Sequence, residues 1–329
     1  MIGAFPRGYF NIVRAITLAA LACLAASHAN SQTYPSRAVK IVVANPPGGL
    51  ADIAGRLVGE ALREANNQSF VVENQTGGSS VVGYGNVARA APDGYTLLIT
   101  TDSQTYMAGY APNIKFDPIN DLQAITIALE LPAVVVAAKG VNATTLQELI
   151  ALIKASPEKF NYASGGTGTI NHVAGVLFSD LTGTKMVHIP YQGGGPAVKD
   201  VLGGSVQLFF PTPSVIMPFY SAGSLRVLAV AAPRRWKALP DVPTAEEAGL
   251  PGFSLQTYAA LVAPKGTPSS IINQLYRDLL AAAAKGDFRE KMDRLGSVLF
   301  LSPEESQKRI VQEGREKTAL VRKAGITLE

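Results

Sequence analysis

Short apolar runs alternate with helical patterns along most of the chain, and this alternation restricts the possible folds more than any other feature. Between the runs, apolar residues recur with the helical period of about 3.6, as in the segment Ile53–Leu62. An alternation of this kind predicts parallel α/β sheets covered by helices on both faces. The runs that predict strands are Val39–Ala44, Phe70–Glu73, Tyr95–Thr100, Ala133–Ala138, Met186–Pro190, Gln207–Phe210 and Arg226–Ala231.

The length of 329 residues predicts about two domains. No internal repeat and no low-complexity linker divides the chain, so a boundary at one flexible linker is disfavoured. Two very apolar strands, at 133–138 and 227–231, bracket a central block and are suited to carry the chain between domains. We therefore expect a discontinuous first lobe of 30–132 and 232–329, with a second lobe of 133–231 that has hinge strands at both ends.

The charge pattern excludes two classes of protein. The chain is 47% hydrophobic and 16% charged, which excludes a disordered polyelectrolyte. Lys and Arg number 29 against 25 Asp and Glu, for a net charge of +4, but no dense basic block produces it. The region 285–329 mixes both signs and is typical of solvated helix faces, so no nucleic-acid partner is predicted.

The N-terminal segment predicts export. Arg7 and Arg14 precede or border the apolar run Ala15–Ala26, and Ser27-His28-Ala29 has the small residues of a cleavage site. A membrane anchor is the alternative, but the run of twelve residues spans only about 18 Å against a ~30 Å bilayer core. We expect a signal peptide over 1–29, cleavage near Ala29, and a periplasmic protein.

Several chemical functions are disfavoured by the residues present. The single cysteine, Cys23, lies in the apolar run, so the exported chain has no disulfide, thiol nucleophile or cysteine metal site. His172 and His188 have no carboxylate at metal-ligand spacing, and no nucleophile–base pair is evident. Gly83–Ala88 resembles a dinucleotide fingerprint, but the turn-like stretch 75–80 closely precedes it. We predict neither an enzyme nor a metal or cofactor site.

The segment Pro46–Asp52 follows the first strand and precedes the first helix. Its glycines allow a close approach of the backbone, and a helix N-terminus offers unpaired N–H groups and about half a positive charge. These features suit an anion. A plain strand-to-helix turn with Asp52 as the cap is the alternative.

A second segment of this kind, Tyr162–His172, lies in the central block and enters a predicted helix. It contains three glycines and three serine or threonine hydroxyls, which suit a carboxylate or phosphate. A third glycine-rich turn lies at Gln192–Pro196. One anion-binding loop in each lobe predicts a ligand cleft between the lobes. His188 is interpreted as structural, whereas His172, in the first helical turn, is open to either a structural or a binding role.

Many ordered motifs of the chain match a known family. They are Tyr34-Pro35-Ser36-Arg37, Pro46-Pro47-Gly48-Gly49 with Asp52, Val72-Glu73-Asn74 with Gly77-Gly78, Ala90-Ala91-Pro92-Asp93-Gly94-Tyr95-Thr96-Leu97-Leu98, Asn161-Tyr162-Ala163-Ser164, His188-Ile189-Pro190-Tyr191, Leu239-Pro240-Asp241-Val242-Pro243-Thr244 and Glu247-Ala248-Gly249-Leu250-Pro251-Gly252. In these motifs the chain resembles the substrate-binding proteins of tripartite tricarboxylate transporters, the Bug-type extracytoplasmic solute receptors.

This resemblance implies a type II periplasmic-binding-protein-like fold, with two α/β lobes joined by two crossing strands and a ligand cleft between them. It implies a monomer that binds a small carboxylate and delivers it to two integral-membrane transporter subunits. A receptor that signals to a membrane sensor kinase is the alternative. The ligand-binding residues carried over are Pro47, Gly48, Gly49, Ser164, Gly165, Thr167, Thr169 and His172.

The chain departs from the family pattern at three positions. Gln75 replaces a frequent arginine, and Tyr258 replaces a frequent tryptophan. Pro211-Thr212 stands where many relatives carry an aspartate that is suited to pair with the amine of an amino acid. We therefore expect a ligand without an ammonium group.

Overall fold

A computed structural model describes residues 34–327 of the protein. The predicted signal peptide, 1–29, lies outside the described residues. The chain divides into the unit Met1–Ser36 and the unit Arg37–Glu329, and every element described below belongs to the second unit.

The described strands largely coincide with the apolar runs of the sequence. The strands are β1 (Val39–Val43), β2 (Phe70–Asn74), β3 (Thr96–Thr100), β4 (Leu122–Ala138), β5 (Asn161–Ser164), β6 (Val187–Pro190), β7 (Leu208–Phe209), β8 (Leu225–Ala231), β9 (Gln256–Pro264) and β10 (Ser297–Val298). The helices are α1 (Leu50–Asn66), α2 (Val81–Ala88), α3 (Ser103–Tyr110), α4 (Leu146–Ala155), α5 (Ile170–Thr182), α6 (Gly194–Leu202), α7 (Pro213–Ser221), α8 (Ser269–Ala283), α9 (Gly286–Asp293) and α10 (Pro303–Lys323).

The strand order is β2-β1-β3-β9-β4-β7-β5-β6, with β8 and β10 also paired to β4. The long strand β4 belongs to two sheets. Its first part pairs with β9 up to Pro132, and its second part pairs with β8 from Ala133 onward. The side chains of 133–137 are fully buried, so the crossing lies in the core. The first sheet contains β1, β2, β3, β9 and β10, and the second contains β5 to β8.

The prediction of parallel sheets is correct for only part of each sheet. Strands β1, β2 and β3 are mutually parallel, and so are β5, β6 and β7. Strands β8 and β9 run antiparallel to β4. The reason is topological: β4 leaves the first sheet and the later strands return the chain, so they pair with β4 in the opposite direction. Strands β9 and β10 and the first part of β4 were not predicted from the sequence.

Two helices begin with a capping box. Thr145 accepts a hydrogen bond from the Glu148 N–H and forms a capping box at the start of α4. Ser302 and Glu305 form the same arrangement at the start of α10, with Pro303 in its first turn.

The segment between β8 and β9 stays in contact with the second sheet. Leu255 N–H donates to the Ala231 carbonyl at 3.0 Å, and Ala133 N–H donates to the Leu255 carbonyl at 2.9 Å. Between these points, Thr244 bridges to Val230, and Phe253 packs against Phe178 of α5 with ring centroids 5.7 Å apart. The segment after β8 therefore packs on the second sheet, because its apolar side chains face α5 and β8.

Candidate ligand-binding site

Both predicted loops leave the carboxyl end of a central parallel strand. In the first sheet, β1 lies between β2 and β3, and in the second sheet, β5 lies between β7 and β6. From β1 the chain goes to β2 on one side and then to β3 on the other side, and from β5 it goes to β6 and then to β7 in the same way. Each of these two strands therefore lies at a topological switch point. In open α/β sheets, a crevice at the carboxyl ends of the strands opens at such a point and holds the ligand.

The first loop, residues 44–49, presents an uncapped helix to solvent. Residues 46–49 are exposed, and this range includes the predicted ligand-binding residues Pro47, Gly48 and Gly49. Gly49 is the N-cap of α1, and its position is not capped by a side chain. Gly48 has φ +83°, a conformation that favours glycine, whereas Gly49 has φ −83°. The first N–H groups of α1 therefore lie beside an open loop.

Asp52, in the first turn of α1, secures this loop. Its Oδ2 accepts from Gly48 N–H at 3.0 Å, and its two oxygens accept from the Arg56 guanidinium at 3.1 and 2.9 Å. Asn74 donates to Oδ1 at 3.0 Å. Burial acts to raise the pKa of the Asp52 carboxyl, but these hydrogen bonds outweigh it and the pKa lies below its usual value. The alternative role of Asp52 is thus partly correct, since it fixes the turn from the third helical position.

The second loop, residues 164–169, is held mainly by its own hydroxyls. Ser164 is fully buried, and its Oγ accepts from Gly166 N–H at 3.0 Å and lies 2.6 Å from His188 Nε2. Thr169 Oγ1 donates to the Gly166 carbonyl at 2.7 Å, so this residue does not cap α5 with its side chain. Two of the three predicted hydroxyl donors are therefore occupied inside the loop.

Gly165 belongs to the same internal framework. Its N–H donates to Asn171 Oδ1 at 3.3 Å, and its carbonyl accepts from Gly193 N–H at 3.2 Å. Asn171 Nδ2 in turn donates to the Phe210 carbonyl at 2.9 Å. These bonds join the ends of β5, β6 and β7, and so they bring the third glycine-rich turn to the site.

The Thr167 hydroxyl and the first N–H groups of α5 are the hydrogen-bond donors of this loop that remain available to a ligand. Thr167 is partly exposed, and its hydroxyl has no hydrogen-bond partner within residues 34–327. The first N–H groups of an α-helix have no intrahelical partners, and no side chain caps those of α5. The second loop thus offers a hydroxyl and a helix N-terminus, as the first loop offers a helix N-terminus.

His172 lies beneath this loop and is 8% exposed. Its Nδ1 accepts from Gly168 N–H at 3.4 Å, and its ring stacks on that of His188 with centroids 3.8 Å apart and planes 5° apart. Burial lowers the pKa of His172 to about 3 and that of His188 to about 4. Both imidazoles are therefore neutral at pH 7.

Tyr110, at the end of α3, packs against the second loop and was not predicted from the sequence. Its hydroxyl donates to the Ser79 carbonyl at 3.0 Å, and the side chain is 1% exposed. A Cβ on Gly168 would lie 2.4 Å from the Tyr110 ring, so the ring fits against the second loop only because residue 168 is glycine. No local signal identifies such a contact, because its partners lie far apart in sequence.

The dinucleotide-like glycines have a packing role. Gly83 lies within α2, and a Cβ there would meet Ala44 Cβ and the Gln75 carbonyl, both at 2.7 Å. The helix thus approaches the end of β1 closely. Within the described part of the chain, no three His, Cys, Asp or Glu residues are placed to hold a metal ion. None of its helices is long and apolar enough to cross a membrane.

Two α/β sheets that share a long strand, with a helix-starting loop at the switch point of each, define a two-lobed solute-binding protein. A family model described as the tripartite tricarboxylate transporter family receptor matches residues 54–326. The chain belongs to this family. Its members are receptors rather than enzymes, and the signalling alternative receives no support from the comparisons.

Individual relatives agree with this assignment. Protein BugT of Bordetella pertussis is 32% identical over 307 residues, which cover 92% of this chain and 94% of BugT. The structure of the periplasmic binding protein BugD is 31% identical in sequence and has a TM-score of 0.80. The match covers 89% of this chain and 99% of BugD.

Two further solved structures contain ligands. Rpa4515 of R. palustris with adipate is 28% identical, with a TM-score of 0.82 and coverage of 90% of this chain and 100% of that one. MatC of Rhodopseudomonas palustris with bound malate is 28% identical and has a TM-score of 0.79. The match covers 88% of this chain and 100% of MatC.

Proposed function

We propose that this protein captures a small carboxylate solute between the first and second loops and delivers it to the membrane subunits of a tripartite tricarboxylate transporter. One observation carries the proposal: both switch points end in helix N-termini without a side-chain cap. Such N-termini favour an anion through N–H groups and the helix dipole. The adipate and malate bound by two structural neighbours are ligands of this chemistry.

We propose different roles for the predicted binding residues. Pro47, Gly48 and Gly49 shape the first loop, and Thr167 is the hydroxyl donor of the second. Ser164, Gly165 and Thr169 support the loop from within, because each is hydrogen-bonded to Gly166 or Asn171. His172 supports the loop from α5 through its bond to Gly168.

The lobe boundaries are part of the proposal. The contacts of Leu255 and Phe253 favour a second lobe of 133–255 rather than 133–231. The first lobe then comprises the mature chain before 133 and after 255. A protein of this kind closes around a ligand that touches both lobes, so small-angle scattering with bound ligand should give a smaller radius of gyration.

A thermal-shift screen tests the proposed ligand class. The panel contains malate, adipate, succinate and citrate, and the uncharged dimethyl esters of succinate and adipate serve as controls. A ligand at 100 times its Kd should add about 2.7 kcal/mol to the free energy of unfolding. At least one carboxylate should stabilise the protein while its ester does not; equal effects of acid and ester would contradict the proposal.

Malate and aspartate test whether the ligand lacks an ammonium group, because malate carries a hydroxyl where aspartate carries an ammonium. The loop after β7 contains Pro211 and Thr212 in place of the frequent aspartate, and the Thr212 hydroxyl lies 3.1 Å from that of Ser214 in the first turn of α7. An ammonium group there would lose its solvation without a carboxylate partner. Calorimetry should give at least about tenfold tighter binding of malate, and tighter binding of aspartate would overturn this part.

Location and partners are tested separately. N-terminal sequencing of the periplasmic protein should begin near Asn30, and light scattering should give the mass of a monomer. In a reconstituted transport assay, uptake of the bound carboxylate should require both the receptor and the two membrane subunits.

A further inference from the structure

A column of three stacked rings lies behind the second loop. His188 of β6 stands opposite Tyr162 of β5 in the sheet register, with ring centroids 5.0 Å apart and planes inclined by 27°. His172 of α5 stacks on His188 at 3.8 Å. Gly175, one turn further along α5, provides the room for this column, because a Cβ there would lie 2.2 Å from the Tyr162 ring.

His172 contacts one glycine amide of the loop directly, and His188 is connected to another through Ser164. His172 Nδ1 accepts directly from Gly168 N–H at 3.4 Å. His188 Nε2 contacts Ser164 Oγ at 2.6 Å, and that oxygen accepts from Gly166 N–H at 3.0 Å. Both glycines have positive φ angles, +125° at Gly166 and +76° at Gly168. These two residues determine the backbone conformation on either side of Thr167, whose hydroxyl remains available to a ligand.

We propose that His172 and His188 are positioning residues: stacked on each other, they hold Gly166 and Gly168 so that Thr167 and the start of α5 face the ligand. The inference rests on the proposed function for the ligand itself. It assigns a role to His188, which the sequence analysis interpreted as structural only, and it gives the two imidazoles complementary tasks at the two bends of the loop.

The surroundings keep both rings neutral, as the arrangement requires. The acceptor role of His172 Nδ1 needs an unprotonated nitrogen. The titratable groups that face the pair are the other histidine and Tyr162, whose own pKa is raised by burial. Within residues 34–327, neither histidine ring has an ion pair with a carboxylate. A charged imidazole would thus lose both solvation and its role as acceptor.

Two pairs of variants separate stacking from hydrogen bonding. H188F and H172F keep a flat ring but lose the polar nitrogen. H188Q and H172N place an amide near the original nitrogen and lose the ring. Y162F is the matched control, since it changes the same column without touching either glycine amide.

The first measurement is amide hydrogen exchange of the ligand-free protein, followed residue by residue by NMR. We expect Gly166 exchange to accelerate by about tenfold in H188F, and Gly168 exchange in H172F, because each loses the energy of about one hydrogen bond. H188Q and H172N should restore most of the protection, and Y162F should leave both amides unchanged. Unchanged exchange at both glycines in the phenylalanine variants would overturn the proposal.

The second measurement is calorimetric affinity for the panel carboxylate that binds the wild type most tightly. The phenylalanine variants should bind about five- to tenfold more weakly, and the amide variants within about threefold of wild type. Wild-type affinity in both phenylalanine variants, at wild-type folding, would contradict a positioning role. If no panel carboxylate binds the wild type, the proposed function fails, while hydrogen exchange still decides the role of the histidines.

Ser164→Ala provides a test that does not alter either ring. It removes the link between His188 and Gly166, so it should accelerate Gly166 exchange as H188F does. Adding H188F to this variant should then have little further effect, since both changes break one connection. Fully additive effects would show that His188 does not act through Ser164, and would overturn this part of the inference even if H188F alone were too unstable to study.

Discussion

The first and second loops offer the same kind of helix N-terminus, but they are fixed by different chemistry. In the first loop, the buried carboxylate of Asp52 binds Arg56, Asn74 and the Gly48 amide. In the second, neutral hydroxyls and a stacked pair of neutral histidines hold the glycines. A charged network and a neutral one can therefore support equivalent anion-binding ends, and the two should respond differently to substitution and to pH.

The largest effect is expected at Gly168 in the second loop. A Cβ there would meet the Tyr110 ring at 2.4 Å and would also occupy a residue with φ +76°. Gly168→Ala should lower the free energy of unfolding by at least about 2 kcal/mol, through overpacking and backbone strain together. The matched control is Gly183→Ala, which has φ +62° but no atom within 4 Å of the new Cβ. Equal losses in denaturant unfolding would refute the contact with Tyr110.

The charged network of the first loop gives the second prediction. Asp52→Asn leaves Arg56 without its carboxylate and should lower the free energy of unfolding by about 1.5–3 kcal/mol, the contribution of hydrogen bonds to charged groups. Asp287→Asn is the control, because Asp287 also pairs with a cation four residues on, Lys291, yet its side chain is 82% exposed. Exposed pairs contribute about 0–1 kcal/mol, so a similar loss in both variants would contradict the network.

The pH dependence distinguishes the two loops directly. His172 and His188 have folded pKa values lowered to about 3 and about 4, so only the unfolded chain takes up their protons as the pH falls below about 6.5. Stability should then fall between pH 6.5 and 4, by at most about 1.4 kcal/mol per pH unit for each histidine. The Asp52 pKa is lowered, so its contribution is present above the unfolded value near 4 and is lost only below it.

Urea unfolding at pH 7 and pH 5 measures this difference. In wild type, the free energy of unfolding should decrease from pH 7 to pH 5. Most of this decrease should be absent from the double variant H172F/H188F, whereas Asp52→Asn should retain it. An unchanged decrease in the double variant would show that other groups take up the protons.

The smallest effect is expected at the hydroxyl of Tyr110. Tyr110→Phe keeps the ring against the second loop and removes the bond to the Ser79 carbonyl. The loss in the free energy of unfolding should be about 0.5–1.5 kcal/mol, the usual net contribution of one such bond. Tyr276→Phe, which loses a 3.2 Å bond to the Phe300 carbonyl away from the site, is a matched control for thermal unfolding. Carboxylate affinity should weaken in Tyr110→Phe and stay unchanged in Tyr276→Phe.

Local patterns were sufficient to predict most elements and both loops, because each depends on a few neighbouring residues. The strands at 39–43 and 96–100 are of this kind, because each coincides with one apolar run. The switch points follow once the strand order is known, but the order depends on pairing between distant segments. The antiparallel pairing of β9 with β4 was therefore missed.

The hydrogen bonds within the site could not be predicted from local sequence patterns. A serine and a threonine in a glycine-rich loop suggest donors for a ligand, yet Ser164 and Thr169 are occupied by Gly166 and His188. Their orientation depends on β6 and α5, which pack against the loop from behind. The same applies to Tyr110, which reaches Gly168 across the two sheets.

A crystal structure with the panel carboxylate that binds most tightly tests the ligand site directly. We expect the carboxylate oxygens to accept hydrogen bonds from the Thr167 hydroxyl and from N–H groups at the start of α5 or α1, directly or through ordered water. No lysine or arginine side chain should contact the carboxylate. A carboxylate that is paired with a basic side chain, or that is bound away from both loops, would show that the helix N-termini do not hold the ligand.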